Sequence, residues 1–85
     1  MNYLLFTTTR CPKCPEFKEF VADNVTFDGV ILDETLPEFH DKIAEYGVAN
    51  APTIIIFEDG KEVFRGSEVY ELESFLKANP GSGEL

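Results

Sequence analysis

The reading of this chain turns on Arg10-Cys11-Pro12-Lys13-Cys14-Pro15, a stretch that follows the run Tyr3-Leu4-Leu5-Phe6-Thr7-Thr8 and leads into a helical pattern. It holds both cysteines of the sequence. A Cys-x-x-Cys at a strand-to-helix junction marks redox or metal chemistry. A disulfide across two intervening residues closes almost no loop, so it adds little as a crosslink and its expected use is chemical.

Working outward, residues 3 to 8 form a near-continuous apolar run, which suits a strand covered on both faces and therefore central in its sheet. After Pro12, Phe17, Phe20 and Val21 recur at helical spacing with Glu16, Lys18, Glu19 and Asp23 between them, which predicts a helix ending near Asn24. Two starts are open for it. Either Cys11 is the N-cap and Pro12 the first helical residue, or Pro15, which has no N–H to give the Cys11 carbonyl, marks a later start.

Thr26 to Gly29 reads as a connection, and Val30-Ile31-Leu32 as a second strand ending at Asp33-Glu34. Thr35-Leu36-Pro37-Glu38 matches a capping box with Pro in the first turn, and Leu36, Phe39, Ile43 and Tyr46 share one face up to Gly47. Ala51 to Phe57 is the most strand-like segment, Glu58-Asp59-Gly60-Lys61 a hairpin turn, and Glu62 to Arg65 an edge strand. Ser67 is placed to cap a last helix carrying Val69, Leu72, Phe75 and Leu76, stopped by Asn79-Pro80-Gly81. The order β-α-β-α-β-β-α predicts an α/β domain over residues 1–80, a four-stranded mixed sheet flanked by three helices, with residues 81–85 as a flexible tail.

Eighty-five residues with 44% hydrophobic and 13% aromatic side chains, eight of them Phe, make one domain with a core of its own. Sixteen acidic residues against seven basic ones, a net charge of -9, repel phosphate backbones and anionic lipid, so neither nucleic acid nor a membrane is expected as partner. The N-terminal apolar run has no basic region before it and no cleavage site, and no segment approaches a membrane span. A cytoplasmic monomer is expected, in a compartment where Cys pairs are catalytic, redox-sensing or metal-binding. His40 has no nucleophile to serve and is read as a surface or core-edge residue.

At a helix start, free N–H groups of the first turn and the cations Arg10 and Lys13 favour thiolate over thiol at Cys11, which makes Cys11 the expected nucleophile. Cys14, one turn in and shielded, is the expected resolving thiol.

Cys11-Pro12-Lys13-Cys14 after a strand, Ala51-Pro52-Thr53 before one, and Phe57-Glu58-Asp59-Gly60-Lys61-Glu62-Val63 together resemble the thioredoxin superfamily. Tyr46-Gly47-Val48 and Phe75-Leu76-Lys77-Ala78-Asn79 extend the resemblance over nearly the whole domain. It implies a thioredoxin-like fold and a cis peptide bond before Pro52, which would face the Cys pair and let neighbouring backbone pair with a bound peptide. Ala51, Pro52 and Thr53 therefore join Arg10, Cys11, Pro12, Lys13 and Cys14 in the expected site. The compact length and the Cys-Pro-x-Cys form are similar to glutaredoxins. Leu5 stands where thioredoxins carry a buried carboxylate that helps deprotonate the second Cys, Arg10 where they have Trp, and Thr8 where glutaredoxins have a basic residue. Gly66-Ser67-Glu68 matches the acidic glutathione-binding turn only in part.

The resemblance implies a thiol-disulfide oxidoreductase that reduces protein disulfides without a bound cofactor, fed by an upstream reductase or a low-molecular-weight thiol. Two alternatives stand beside it: glutathione-linked, glutaredoxin-like activity, and a metal or iron-sulfur carrier in which two subunits each supply two thiolates.

Overall fold

Seven elements follow one another in the expected order, in a computed structural model that describes residues 1–78: β1 (Asn2–Phe6), α1 (Cys14–Asn24), β2 (Gly29–Leu32), α2 (Phe39–Tyr46), β3 (Thr53–Glu58), β4 (Lys61–Gly66) and α3 (Val69–Ala78). The expected stop at Asn79-Pro80-Gly81 and the tail over 81–85 lie outside the described residues.

The four strands form one sheet in the order β2-β1-β3-β4. β1 runs parallel to β2, as a strand-helix-strand crossover requires, and antiparallel to β3, with Phe6 opposite Thr53. β3 and β4 are joined by the two-residue loop Asp59-Gly60, whose φ values of 54° and 79° are those of a hairpin turn with positive φ at both positions. β1 is therefore central and β4 an edge, as the patterns predicted.

Both faces of the sheet are covered. Leu5, Ile54 and Ile56 meet Phe17 and Val21 of α1 and Leu72 of α3 on one side, while Phe6, Ile55 and Leu32 meet Phe39 of α2 on the other. Consecutive residues of β1 and β3 thus point into two different cores, which is why their sequences read as unbroken apolar runs rather than as alternation. Each such buried side chain contributes on the order of 1.5–3 kcal/mol of transfer free energy.

One helix takes the later of its two open starts, and two others start differently from expectation. α1 begins at Cys14 with Lys13 as N-cap, not at Cys11. The reason is Pro15: it cannot donate to the Cys11 carbonyl, so the first helical bond runs from the Phe17 N–H to the Lys13 carbonyl at 3.1 Å. The capping box at Thr35 does not form, because the Thr35 hydroxyl and N–H both donate to the Asp33 carboxylate, the N–H at 2.8 Å. This Asx-type turn delays α2 to Phe39, with Glu38 as N-cap. The Ser67 hydroxyl is likewise engaged away from α3, with Asn50 and Thr53. The Glu71 carboxylate instead accepts the N–H groups of Ser67 and Glu68, each at 3.0 Å.

Candidate functional site

The site forms where β1 ends and β3 begins. Because Phe6 pairs with Thr53, the loop that follows β1 and the loop that precedes β3 emerge side by side at one end of the sheet. The first carries Arg10 to Cys14 and the second Ala51-Pro52. These are the two halves expected from sequence.

In the first loop, Thr7 anchors the backbone. Its N–H and its hydroxyl both donate to the Leu32 carbonyl of β2, at 2.8 and 3.2 Å, so a fully buried Thr is satisfied beside the apolar core. The chain then turns back, with the Cys11 N–H on the Thr8 carbonyl at 3.3 Å. Cys11 and Cys14 are joined by a disulfide, their Cα atoms 5.4 Å apart. The sulfurs differ in surroundings. Cys14 is 1% exposed in the first turn of α1, whereas Cys11 is only half-buried, between exposed Arg10 and exposed Pro12.

Two carboxylates brace this loop from neighbouring elements. The Thr9 N–H donates to both oxygens of Glu34, at 3.0 and 3.1 Å, and the Thr9 hydroxyl donates at 3.0 Å. Partial desolvation acts to raise the Glu34 carboxyl, but hydrogen bonds from its own N–H and from Thr9 outweigh it, and the net shift is downward. On the opposite flank, the Lys13 ammonium donates to Glu68 at 3.0 Å, across to the turn before α3. Lys13 is thus paired within the chain.

In the second loop the Ala51-Pro52 peptide bond is cis. Pro52 is buried, and Thr53 is 4% exposed with its hydroxyl donating to the Asn50 carbonyl at 2.6 Å. The Asn50 side-chain oxygen and the Ser67 hydroxyl lie 3.2 Å from the same Thr53 oxygen. Between the two loops and α2 lies a hollow of about 260 Å³, bordered by Thr8, Phe39, Ile43, Val48 and Ala51. Its walls suit an apolar side chain.

Below the cystine there is no carboxylate on β1: Leu5 is fully buried in the apolar cluster with Phe17 and Leu72. Among the described residues, no group of three or more His, Cys, Asp or Glu side chains comes together to hold a metal ion. His40 is exposed on α2, its ring 5.5 Å from that of Phe39.

Sequence reasoning did not single out Glu34, Phe39 or Asn50. The signal for Glu34 was topological: parallel β1 and β2 share their C-terminal ends, so residues just past β2 stand beside residues just past β1. Ser67 reads from sequence as a helix cap, and Ser67 and Glu68 as a partial glutathione-turn match; neither reading points to their contacts with both loops.

No described helix is long and apolar enough to cross a membrane. The family model described as thioredoxin domain matches residues 1–77. An uncharacterized protein of Treponema pallidum (strain Nichols) is 28% identical over 60 residues, spanning 69% of this chain and 78% of that protein. Thioredoxin O2 of Arabidopsis thaliana, solved in the oxidized state, superposes with a TM-score of 0.74 at 19% identity, over 91% of this chain and 72% of that one. The thioredoxin NaTrxh of Nicotiana alata superposes with a TM-score of 0.71 at 30% identity, over 91% of this chain and 70% of that one. A thioredoxin fold that carries a close-spaced Cys11–Cys14 pair, together with a family match over almost its full length, places this chain in the thioredoxin-domain family.

Proposed function

We propose that the protein is a thiol-disulfide oxidoreductase that reduces disulfides of client proteins, with Cys11 as nucleophile and Cys14 as resolving thiol. The observation that carries the reading is the asymmetry of the cystine: Cys11 is half-buried in the loop and Cys14 is buried in the first turn of α1, in a chain whose facing loop holds a cis-Pro.

In the reduced protein the Cys11 thiolate attacks one sulfur of a client disulfide, forming a Cys11–client bond and releasing the other client sulfur as thiolate. Cys14, deprotonated, then attacks the Cys11 sulfur and expels the second client thiolate. Two electrons pass to the client and the Cys11–Cys14 disulfide forms. An upstream reductase or a low-molecular-weight thiol returns two electrons and two protons and restores the dithiol. Arg10 adds positive charge next to Cys11, which favours its thiolate. The backbone flanking Pro52 offers groups for an extended client segment, and the hollow beside Thr8 and Phe39 accepts an apolar client side chain. With Leu5 apolar and buried, the proton of Cys14 leaves to water or to the departing client thiolate rather than to a carboxylate on β1. The cytosol, with its reduced thiol pool, is the proposed working compartment.

Reduction of insulin with dithiothreitol as electron source tests the reading. Wild type should turn over, Cys11→Ser should not, and Cys14→Ser should accumulate a mixed disulfide with the client. Turnover that survives Cys11→Ser would sink the assignment of nucleophile. Turnover driven only by glutathione would move the protein to the glutaredoxin-like alternative. Protein purified as a dimer bridged by metal, at about half an equivalent per chain, would favour the carrier.

A further inference from the structure

The turn between β4 and α3 touches both halves of the site. On one side the Ser67 hydroxyl lies 3.2 Å from the Thr53 hydroxyl and 3.2 Å from the Asn50 side-chain oxygen, in the loop that carries the cis peptide. On the other side the next residue, Glu68, accepts the Lys13 ammonium at 3.0 Å, in the loop that carries the cysteines. Adjacent residues of one turn therefore hold the two loops.

Three features make this turn a stiff joint rather than a passing contact. Glu71 accepts both of its N–H groups, at 3.0 Å each, so its backbone is tied to α3. Gly66 ends β4 opposite Ile54, and a Cβ on it would come within 2.7 Å of the Phe64 ring, so the turn approaches its neighbours as closely as a side-chain-free residue allows. A bulge in the β3–β4 ladder, between Ile56 and Phe57, moves the register by one residue. Continued from the hairpin without the bulge, the ladder would set Gly66 opposite Thr53. With it, Ser67 follows the Ile54–Gly66 pair and its hydroxyl meets that of Thr53.

We propose that Ser67 and Glu68 are positioning residues that set the cis-Pro loop and the cysteine loop at a common spacing, Ser67 through Asn50 and Thr53 and Glu68 through Lys13. Neither touches the reacting sulfurs. The consequence for clients rests on the oxidoreductase reading: an extended segment engages both loops at once, so a change in their spacing weakens client binding more than it slows exchange with a small disulfide. The Ser67 arm is the stronger, because its one hydroxyl meets two groups of the cis-Pro segment, the buried Thr53 and Asn50. The Lys13–Glu68 pair is 64% and 40% exposed, and its part is to limit the sway of the loop.

The test compares wild type with Ser67→Ala, Ser67→Thr and Glu68→Gln, using insulin and hydroxyethyl disulfide as substrates and amide hydrogen exchange as a readout that needs no activity. In Ser67→Ala the KM for insulin should rise about fivefold with kcat within about twofold, as for loss of one hydrogen bond in a binding surface. Turnover of hydroxyethyl disulfide should be unchanged, and Ser67→Thr, which keeps the hydroxyl, should restore KM. The amides of Asn50, Ala51 and Thr53 should exchange faster in Ser67→Ala and stay unchanged in Glu68→Gln, where those of Cys11, Lys13 and Cys14 should exchange faster instead. Unchanged exchange at Asn50, Ala51 and Thr53 in Ser67→Ala, or equal losses on both substrates, overturns the proposal. Should wild type fail to reduce insulin while the exchange pattern holds, the functional reading falls and the positioning role stands.

Discussion

Thr9 gives both its backbone N–H and its hydroxyl to the carboxylate of Glu34, which ties the loop carrying the cysteines to the segment just past β2. The bonds run between loops far apart in sequence, and they are stronger with Glu34 ionised.

Stability should therefore fall in acid. Glu34 is held below the ordinary carboxylate range because hydrogen bonds from its own N–H and from Thr9 overcome the raising effect of desolvation. Asp33 is lowered chiefly by the Thr35 hydroxyl and then the Thr35 N–H, and Glu62 chiefly by its hydrogen bond with Arg65. A carboxyl with a depressed folded value binds its proton more readily in the unfolded chain. Its contribution is present above the ordinary range, roughly pH 4 to 4.5, and is lost as pH falls through the lower folded value. Urea midpoints should be level near neutrality and drop below about pH 4. The Glu34→Gln variant should be less stable than wild type at neutral pH, with the gap closing in acid; a gap that stays constant with pH would show that Glu34 acts through shape alone.

Reduction should expose the asymmetry of the cystine. With Cys14 at 1% exposure and Cys11 half-buried, iodoacetamide should label Cys11 of the reduced protein first, as read by peptide mass. Labelling Cys14 as fast as Cys11 would mean that α1 does not shield it.

Phe17 ties the helix that starts at Cys14 to the sheet, at 1% exposure against Leu5, Ile54 and Leu72. Phe17→Ala should cost about 3–5 kcal/mol in urea unfolding, the range for deleting a buried ring. A loss below about 1 kcal/mol would show that the core closes over the gap.

The hairpin turn is a separate case. Gly60 sits at φ 79° with no atom within 4 Å of a Cβ placed on it, so Gly60→Ala carries a backbone cost and no clash. It should lose about 1 kcal/mol with the denaturant slope and the redox chemistry unchanged, since the turn is at the end of the sheet away from the cysteines.

The elements were legible where the physics is local. The unbroken apolar runs of β1 and β3 announced strands covered on two faces, the Asp59-Gly60 pair its hairpin, and Gly47, at φ 65°, the end of α2. Local rules misled at the helix starts, where competing partners were available. Thr35 had a cap to make but found Asp33 nearer, and Ser67 found Thr53 across the ladder. The cysteine loop was legible as a motif, yet its supports, Glu34 and Glu68, lie 25 and 55 residues along the chain from the side chains they hold.

What the sequence determined by itself is the chemistry and the order of parts: two cysteines at a strand-to-helix junction, and a strand-helix-strand start that makes a parallel pair. What only the tertiary structure decided is which distant residues meet that motif. The Phe6–Thr53 pairing brings the two loops together, and a one-residue bulge decides that Ser67 rather than Gly66 follows Thr53 across the ladder. Register of this kind is set by packing of both sheet faces at once, and no local stretch of sequence contains it.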